Sequence, residues 1–569
     1  MDAAELLSLA KRRGFLWPAY EIYGGVAGLY DYGPLGAAMK VNLESYWREL
    51  YVLGEGFAEI SSPILAPEEV FRASGHLDAF EDYLVECAQC GEAHRADQLA
   101  AGLHANPDSL EADELSALLR QHAVRCPQCG GELGPLRTFN LMFGTHLGAG
   151  KGRTGYLRPE TAQGIFVDFA LLLRHFRDQL PFGVVQIGRS MRNEISPRQG
   201  VLRLREFNML EAELFIHPEH KEWPKFAAIA EQRLTFVPAG GTPIELPVGE
   251  AVRKGIVLHE TLGYFLWLTQ KYLVDVGVDP RRLRFRQHAK TEMAHYATDT
   301  WDCEAALSTG WVELVGIADR GCYDVTAHIS HSAADLTVFE RFPEPRETVR
   351  VVVRPKFELL GPAFKERAKA VAEALSALPP ESAKDPAGVS VRLNDEPVSV
   401  PRKFYELAEV RERAAGRKIV PHVVEPSYGL DRILYALLEH TYTSEGERVW
   451  LRLPARVAPI LLGVFPLMPK DHLDVEAQAI HASLLRAGLS ALYDDGGSIG
   501  RRYARADEIG VPWCVTVDYT TLEDRTVTIR DRETAAQVRV AIDDLISAVQ
   551  QLRSGVALSA LPAARPGAA

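Results

Sequence analysis

Residues 192–207 read RNEISPRQGVLRLREF, from Arg192 to Phe207, and the fold turns on how this stretch is built. Ahead of it, GVVQIG at residues 183–188 has strand composition, and behind it residues 203–215 alternate polar and apolar side chains at period two. Between the two, residues 195–202 carry Pro197 and Gly200 and predict a loop. Residues two apart on a strand share a face, so Arg192 and Glu194 are expected side by side around Asn193. The chain returns through Arg203, Arg205, Glu206 and Phe207 towards Glu211 and Glu213. Within residues 186–205, five arginines (Arg189, Arg192, Arg198, Arg203, Arg205) accompany one acid, Glu194. A strand–loop–strand rimmed with arginines makes a phosphate clamp, and Phe207 among them can stack on a base. A salt-bridged antiparallel sheet explains the same residues equally well.

The chain around this stretch has 569 residues, enough for three or four domains at about 150 residues each. With 47% hydrophobic and 24% charged residues it is neither disordered, collagen-like nor a disulfide-stapled miniature. The net charge of −13 gives no global attraction to nucleic acid, so basic character is local. No apolar run reaches membrane-spanning length: residues 461–468 are too short and are punctuated by Pro459, Pro466 and Pro469. The first fifteen residues are amphipathic, without a signal-peptide core. A cytoplasmic protein with no membrane partner is expected.

Four of the seven cysteines form two CxxC pairs, Cys87/Cys90 and Cys126/Cys129. Two tight turns presenting four thiolates suit a closed tetrahedral zinc site, which is structural because no coordination position stays open. Gly91 and Gly130 follow the second cysteine of each pair and supply the positive φ that such turns need. The intervening residues leave room for a helix over 108–122. Free or redox-active thiols are the alternative. Cys303, Cys322 and Cys514 read as packing residues.

Elsewhere the pattern predicts helices over residues 36–51, 259–276 and 430–440 and an extended piece over 58–65. Residues 349–400 look like an insertion: a strand at 349–353, a helix at 363–378, then a Pro-rich turn. From 457 onwards a β-α-β pattern runs through 458–464, 475–487, 490–493, 500–509, 511–517 and 526–530 to a closing helix over 535–552, a compact α/β domain. Residues 554–569 are Ala/Pro/Gly-rich and are expected to be disordered. GKGRTG at 150–155 matches GxGxxG but lacks the preceding strand and following helix that a dinucleotide turn needs, and reads as a loop.

RNEISPRQGVLRLREF resembles motif 2 of the class II aminoacyl-tRNA synthetases, in the form carried by the dimeric glycyl-tRNA synthetases. Arg158-Pro-Glu-Thr-Ala-Gln-Gly164, Glu313-Leu-Val-Gly-Ile-Ala-Asp-Arg320 and Glu425-Pro-Ser-Tyr-Gly-Leu-Asp-Arg432 agree with it, as does the opening Gly28-Leu-Tyr-Asp-Tyr-Gly-Pro-Leu-Gly36. Residues 60–67, with Pro63, fall where the dimer-forming motif 1 would lie. The resemblance implies an α+β fold: a catalytic domain with an antiparallel sheet flanked by helices. It assigns 1–79, 151–345 and 416–445 to that domain, 80–150 to a zinc-ribbon-like insertion and 346–415 to a further α/β insertion. Residues 455–553 would be an anticodon-binding domain, and 554–569 a tail.

The implied reaction activates glycine with ATP and passes it to the 3′-terminal adenosine of tRNA, in a homodimer with Mg²⁺ and structural Zn²⁺. The implied nucleotide contacts are Arg192, Asn193, Glu194, Leu202, Arg203, Leu204, Arg205, Glu206, Phe207, Glu313, Leu314, Gly429, Leu430, Asp431 and Arg432. Arg192 and Arg432 are the catalytic cations, on the α- and γ-phosphates. Arg203 reaches the γ-phosphate, Glu194 takes the adenine amino group, Phe207 stacks on adenine, and Glu313 holds Mg²⁺ with the Leu314 carbonyl nearby. The implied glycine contacts are Arg95, Glu160, Phe207, Asn208, Met209, Leu210, Glu211, Arg320, Glu425, Pro426, Ser427, Tyr428 and Gly429. Arg320 would take the carboxylate end. A substrate without a side chain offers only its two charged ends, so carboxylates must gather around the ammonium and leave no room at the α-carbon. Excluding a methyl by overlap discriminates strongly, and no smaller amino acid exists to edit.

Other readings stay open at this stage. Arg205 and Glu206 form a surface ion pair or touch nucleotide, and Glu213 is solvated or in the site. Arg501, Arg502 and Arg505 touch tRNA phosphates or form a solvated face against Asp507 and Glu508. His295 and Tyr296 belong to the core or the site.

Overall fold

A computed structural model describes the chain except residues 1–2, 105–106, 108–109, 151, 198–199, 291–292, 294–296, 394–395, 447 and 563–569. Arg198, His295, Tyr296 and the end of the expected tail therefore lie outside the described residues. Residues 1–336 and 420–569 form one unit and residues 337–419 a second.

The alternating stretches become a nine-stranded sheet. Its strands are β1 (Ala58–Ile60), β2 (Phe182–Met191), β3 (Glu206–Ile216), β4 (Arg233–Val237), β5 (Ile244–Pro247), β6 (Leu283–Gln287), β7 (Asp299–Leu307), β8 (Gly310–Gly321) and β9 (His422–Gly429), in the spatial order β5-β4-β6-β7-β8-β9-β3-β2-β1. The central strands are antiparallel, while β1 pairs parallel with β2 and β4 with β6. The long helices on one face of the sheet are α1 (Pro34–Arg48), α2 (Glu260–Val276) and α3 (Leu430–Thr441). Pro34 at the start of α1 presets its first turn, and a π-helical turn, Glu49–Gly54, carries it on past the expected end at residue 51. The His259 side chain caps α2 by accepting from the Leu262 amide at 3.1 Å.

One sheet face and these helices bury a single large core, with Trp47, Phe265, Leu273, Trp301, Leu210 and Tyr428 fully enclosed. The Tyr428 hydroxyl meets those of Tyr51 and Thr269 at 2.9 and 3.0 Å, so its burial leaves no orphaned polar atom. On the opposite face the helices Ala162–Val167 and Phe169–His175 cover one end, where Phe166 and Phe169 pack on Phe215, and the rest is left for chemistry.

The C-terminal domain has strands β10 (Leu462–Pro466), β11 (Ala491–Tyr493), β12 (Trp513–Val517), β13 (Thr526–Asp531) and β14 (Gln537–Ala541), ordered β11-β10-β12-β13-β14. Its longer helices are α4 (Leu473–Arg486), α5 (Ile499–Glu508) and α6 (Leu545–Arg553). The closing helix expected over 535–552 is instead β14 followed by α6. Val538 and Val540 alternate with Arg539 and pair against β13, so strand periodicity wins there. Residues 554–562 are not loose either, since Leu561 packs into this domain's core at 5% exposure.

The second unit is wider than the expected 346–415. Its long ribbon, Val338–Pro355 against Tyr405–Ile419, pairs along both strands, and the helix expected over 363–378 is two helices, Phe357–Phe364 and Ala368–Ser376. They pack with the hairpin Val389–Leu393/Glu396–Val400 around Leu360, Val371, Leu375 and Tyr405.

Candidate functional site

Over the middle of the sheet lies a cavity of about 340 Å³. Strand alternation decides what lines it. On β3, Phe207, Met209 and Glu211 face it; on β9, Glu425, Ser427 and Gly429; on β8, Gly316 and Ala318; on β7, Thr300 and Asp302. On β3 and β9 the residues between point elsewhere, which corrects the continuous runs expected from the resemblance, whereas on β8 Glu313, Leu314 and Ile317 line the cavity as well. Leu210 and Tyr428 are core residues, Pro426 and Leu430 do not reach the cavity, and Asn208 donates its amide and Nδ2 to Asp431 at 2.6 and 3.1 Å.

One end of the cavity is acidic. Glu211, 1% exposed, accepts from the Thr161 amide at 2.5 Å, from the Thr161 hydroxyl, and from the Ser427 hydroxyl at 2.7 Å. Glu160 accepts from Gln163 Nε2 at 2.8 Å, with His76 Nε2 and Arg320 each at 3.6 Å. Glu425 accepts from Arg320 at 2.8 Å. Arg320, 1% exposed, also grips Asp324 through Nε at 2.8 Å and an NH₂ group at 3.0 Å. It therefore sits beneath the acids as their counter-ion and does not line the cavity as the expected carboxylate ligand.

These environments push the acids apart. Burial works against ionisation of Glu160, yet Arg320 and His76 hold its carboxyl well below the usual range. Burial raises Glu211, and the Glu160 charge adds to it. Burial, opposed by Arg320, pushes Glu425 up to about 7. Glu213 is not solvated. It is fully buried, and burial followed by the Glu425 charge raises it well above the carboxylate range.

The other end is cationic. β2 stops at Met191, so Arg192, Asn193 and Glu194 lie just past it rather than on it. Arg192 is held between the rings of Phe80 and Phe207, 5.2 and 5.3 Å from their centroids, and donates from Nε to the Pro159 carbonyl at 3.2 Å. Arg203 stands 3.8 Å from Glu194, and burial lowers its pKa. Arg432 donates to the Leu202 carbonyl at 3.1 Å and to the Glu313 carbonyl and carboxylate at 3.0 Å. The Glu313 side chain keeps 45% of its surface exposed; partial desolvation opposes its ionisation, but the Arg432 charge and hydrogen bond keep its carboxyl below the ordinary value.

Around this end the sequence-predicted residues divide into lining and bracing. Arg205 does not pair with Glu206. It donates to the Glu194 carbonyl at 3.0 Å and the Ala27 carbonyl at 3.0 Å, while Glu206 pairs with Arg189. Gly28 makes this latch possible: a Cβ there would lie 2.6 Å from the Pro197 ring, and its φ is +76°. Asn193 is tied by its amide to the Leu141 carbonyl at 2.8 Å. Arg95 is engaged by Asp82 at 2.9 Å and Asp97 at 2.6 Å. Asp431 accepts from Tyr32 at 2.6 Å as well as from Asn208, so it fastens the opening segment to β3 and α3. His288 and Asp302, 2.8 Å apart, also line this end. His288 directly follows β6 and Asp302 is on β7, far in sequence from any motif, and they carried no signal. Thr161 and His76 were missed as well, although Thr161 lies within the RPETAQG stretch.

The four cysteine sulfurs all lie within 4.8 Å of one another. Cys87 and Cys129 are 3.5 Å apart and Cys90 and Cys126 3.8 Å, against about 3.8 Å between thiolates tetrahedral around zinc. Amides of Gln89 and Gly131 point at Cys87 and Cys129, and His94 Nε2 lies 3.3 Å from Cys126, a partner the sequence reading omitted. The residues fit zinc. The module's helix is Ala112–Gln121, begun by a capping box of Glu111 and Glu114. A strand, Phe143–Leu147, does precede GKGRTG, but its last three residues begin the strand Arg153–Leu157 that pairs with it, and no helix follows; Lys151 lies outside the described residues. In the C-terminal domain Arg502 is buried and donates to the carbonyls of Pro466 and Gly497. Arg505 pairs with Asp494, whereas Asp507 holds Arg448 and Arg530, and Glu508 holds Arg12 and Arg13. The expected face of Arg502 and Arg505 against Asp507 and Glu508 does not form.

Residues 149–233 match the tRNA synthetase class II core domain (G, H, P, S and T), and residues 462–552 match the anticodon binding domain. The chain is 50% identical over 565 residues to a protein of Methanothrix thermoacetophila named glycine–tRNA ligase, covering 98% of each. Proteins of the same name from Methanocaldococcus jannaschii and Methanothermobacter thermautotrophicus are 47% and 48% identical, each covering 96% of this chain and 98% of theirs. Two solved prolyl-tRNA synthetases, from Cryptosporidium parvum and Giardia lamblia, share the fold with TM-scores of 0.50 and 0.51 at 12% and 13% identity. They cover 97% and 95% of this chain and 77% and 76% of theirs. Among the described residues no helix is long and apolar enough to cross a membrane.

Proposed function

The chain belongs to the glycine–tRNA ligases of the class II aminoacyl-tRNA synthetases, and from that premise we propose how its residues divide the work. The observation that carries the proposal is a single cavity with carboxylates at one end and arginines at the other. Glycine's ammonium is held by Glu160, Glu211 and Glu425 with the Ser427 hydroxyl, and its carboxylate points towards Arg192. Ala318 and Met209 close the space where a methyl would sit.

ATP takes the cationic end. Phe207 stacks on adenine and Glu194 accepts from its amino group, Arg192 holds the α-phosphate, and Arg203 and Arg432 hold the γ-phosphate. The glycine carboxylate attacks the α-phosphorus and pyrophosphate leaves, giving glycyl-adenylate. The 3′-terminal adenosine hydroxyl of tRNA then takes the glycyl group and AMP leaves. Neither step needs a protein nucleophile. The protein contributes in-line positioning and neutralisation of phosphate charge.

The oxygen donors at the cationic end suit a hard divalent cation, and Glu313 would hold Mg²⁺, which supplies further neutralisation of phosphate charge. Zinc on the four cysteines keeps its module folded. The reaction runs in the cytoplasm in a homodimer built through residues 60–67, where β1 is the edge of the sheet and Ile64 and Leu65 are each 37% exposed. Sedimentation at micromolar concentration checks the dimer. The central test is ATP–pyrophosphate exchange without tRNA against all common amino acids. Exchange with glycine alone is expected; exchange with another amino acid overturns the pocket assignment.

A further inference from the structure

Beneath the ammonium end lies a carboxyl that the mechanism above does not use. In the register of β3 and β9, Glu211 stands opposite Ser427 and Leu214 opposite Val424, which sets Glu213 opposite Glu425. Facing side chains on adjacent antiparallel strands have Cβ atoms about 5 Å apart. Glu213 is fully buried, and neither of its oxygens has a hydrogen-bond partner among the described residues. Glu425, 7% exposed, has Arg320. Two buried carboxyls this close cannot both ionise beside one cation.

Among the described residues no second cation pairs with either carboxyl. β8 contributes Arg320, already shared with Asp324 of the helix Tyr323–Ser332, and that helix adds His328, which burial holds below its usual pKa. The Arg158–Gly164 segment contributes Glu160 and Arg158, whose guanidinium is spent on the Arg189 and Ser62 carbonyls and whose charge reaches Glu211, and β3 itself contributes Glu211. On β2 the residue opposite Glu213 is Val184, which is uncharged. His76 lies beyond Glu160.

We propose that Glu213 and Glu425 share one proton while the amino-acid end is empty, and that the ammonium of glycine displaces it when glycine binds. This rests on the assignment of Glu160, Glu211 and Glu425 as ammonium ligands. Glycine enters with its three ammonium protons, the O–H bond of the acid pair breaks, and that proton passes to solvent. The ammonium then joins Arg320 as a second cation beside the pair, and both carboxyls are ionised. Glu213 is thus a positioning residue: it acts on glycine through the ionisation of Glu425.

The test is calorimetric titration of glycine into the full-length protein, in two buffers of equal pH and different ionisation enthalpy. At pH 7 the heats should differ by the release of roughly half to one proton per glycine, falling towards zero by about pH 9. Glu213→Gln, which removes one acid of the pair, should bind glycine with no buffer-dependent heat. Equal heats in both buffers for the wild type from pH 6 to 8 would overturn the proposal, as would unchanged release from Glu213→Gln. Should that variant not fold, the wild-type pH series decides alone. Glu211→Gln separates the two readings. If it binds glycine normally, the ammonium assignment fails; if it loses glycine while the wild type releases no proton, only the proton linkage fails.

Discussion

The two ends of the cavity solve opposite problems in opposite ways. At the acidic end every group is fixed before substrate arrives: Glu211 by Thr161 and Ser427, Glu160 by Gln163, Glu425 by Arg320. These acids are almost wholly buried, and Arg320 sits behind them. At the cationic end the groups neutralise one another. Arg432 is paired with Glu313, with side chains 34% and 45% exposed, and Arg203 leans on Glu194. Recognition of the smallest amino acid rests on rigidity, because only a preset shape can refuse one methyl group. A triphosphate brings enough charge to exchange these ion pairs for new ones, so its end can wait in a self-paired state.

The largest effect expected is from Arg192→Ala. It removes the guanidinium between the two ends and should lower the rate of ATP–pyrophosphate exchange by about 10³-fold. A loss under tenfold would mean that the ends do not meet at Arg192. Next, Glu160→Gln should lower kcat/KM for glycine by about 100-fold, since truncating a buried charge partner costs a few kcal/mol, with KM for ATP within about twofold of wild type. Equal changes in both constants would erase the division between the ends.

Ionic strength should separate them without mutation. Raising salt from about 0.05 to 0.5 M should weaken ATP several-fold and leave glycine nearly unchanged, because screening reaches exposed charges and spares buried ones. Parallel salt slopes would refute the contrast. The smallest effect on exchange belongs to Cys126→Ser: less than about threefold at 25 °C, together with loss of bound zinc and a lower Tm. A purely catalytic loss with zinc retained would make the cysteine module part of the chemistry.

Much of this was legible where chemistry and local sequence coincide. The arginine-rimmed hairpin and the CxxC pairs stand in short stretches whose spacing carries the signal, and the acids Glu160, Glu211 and Glu425 stand in the stretches that carry the resemblance. What a linear reading blurred was the face on which each residue sits. Contiguous runs such as 207–211 and 425–429 alternate between the cavity and the core, so Leu210 and Tyr428 pack while their neighbours line the site. His288 and Asp302 reach the cavity only because β6 and β7 lie two and one strands from β8. Glu213 stayed open between a solvated position and the site because its burial comes from β2 and β9, neither of which its own sequence encodes. The strand at Gln537–Ala541 was hidden by helix formers on both sides.

The position of β9 sets a schedule for synthesis. β9 lies between β8 and β3, yet it leaves the ribosome only after the whole second unit has been made. At about 5–20 residues per second, the roughly 110 residues from Gly321 to Gly429 take some 5 to 20 seconds. Throughout that interval the nascent chain carries two unpaired strand edges at the centre of its future sheet, the kind of surface that invites pairing with other chains. A subdomain that folds on its own core during this interval keeps the emerging polypeptide occupied until the missing strand arrives.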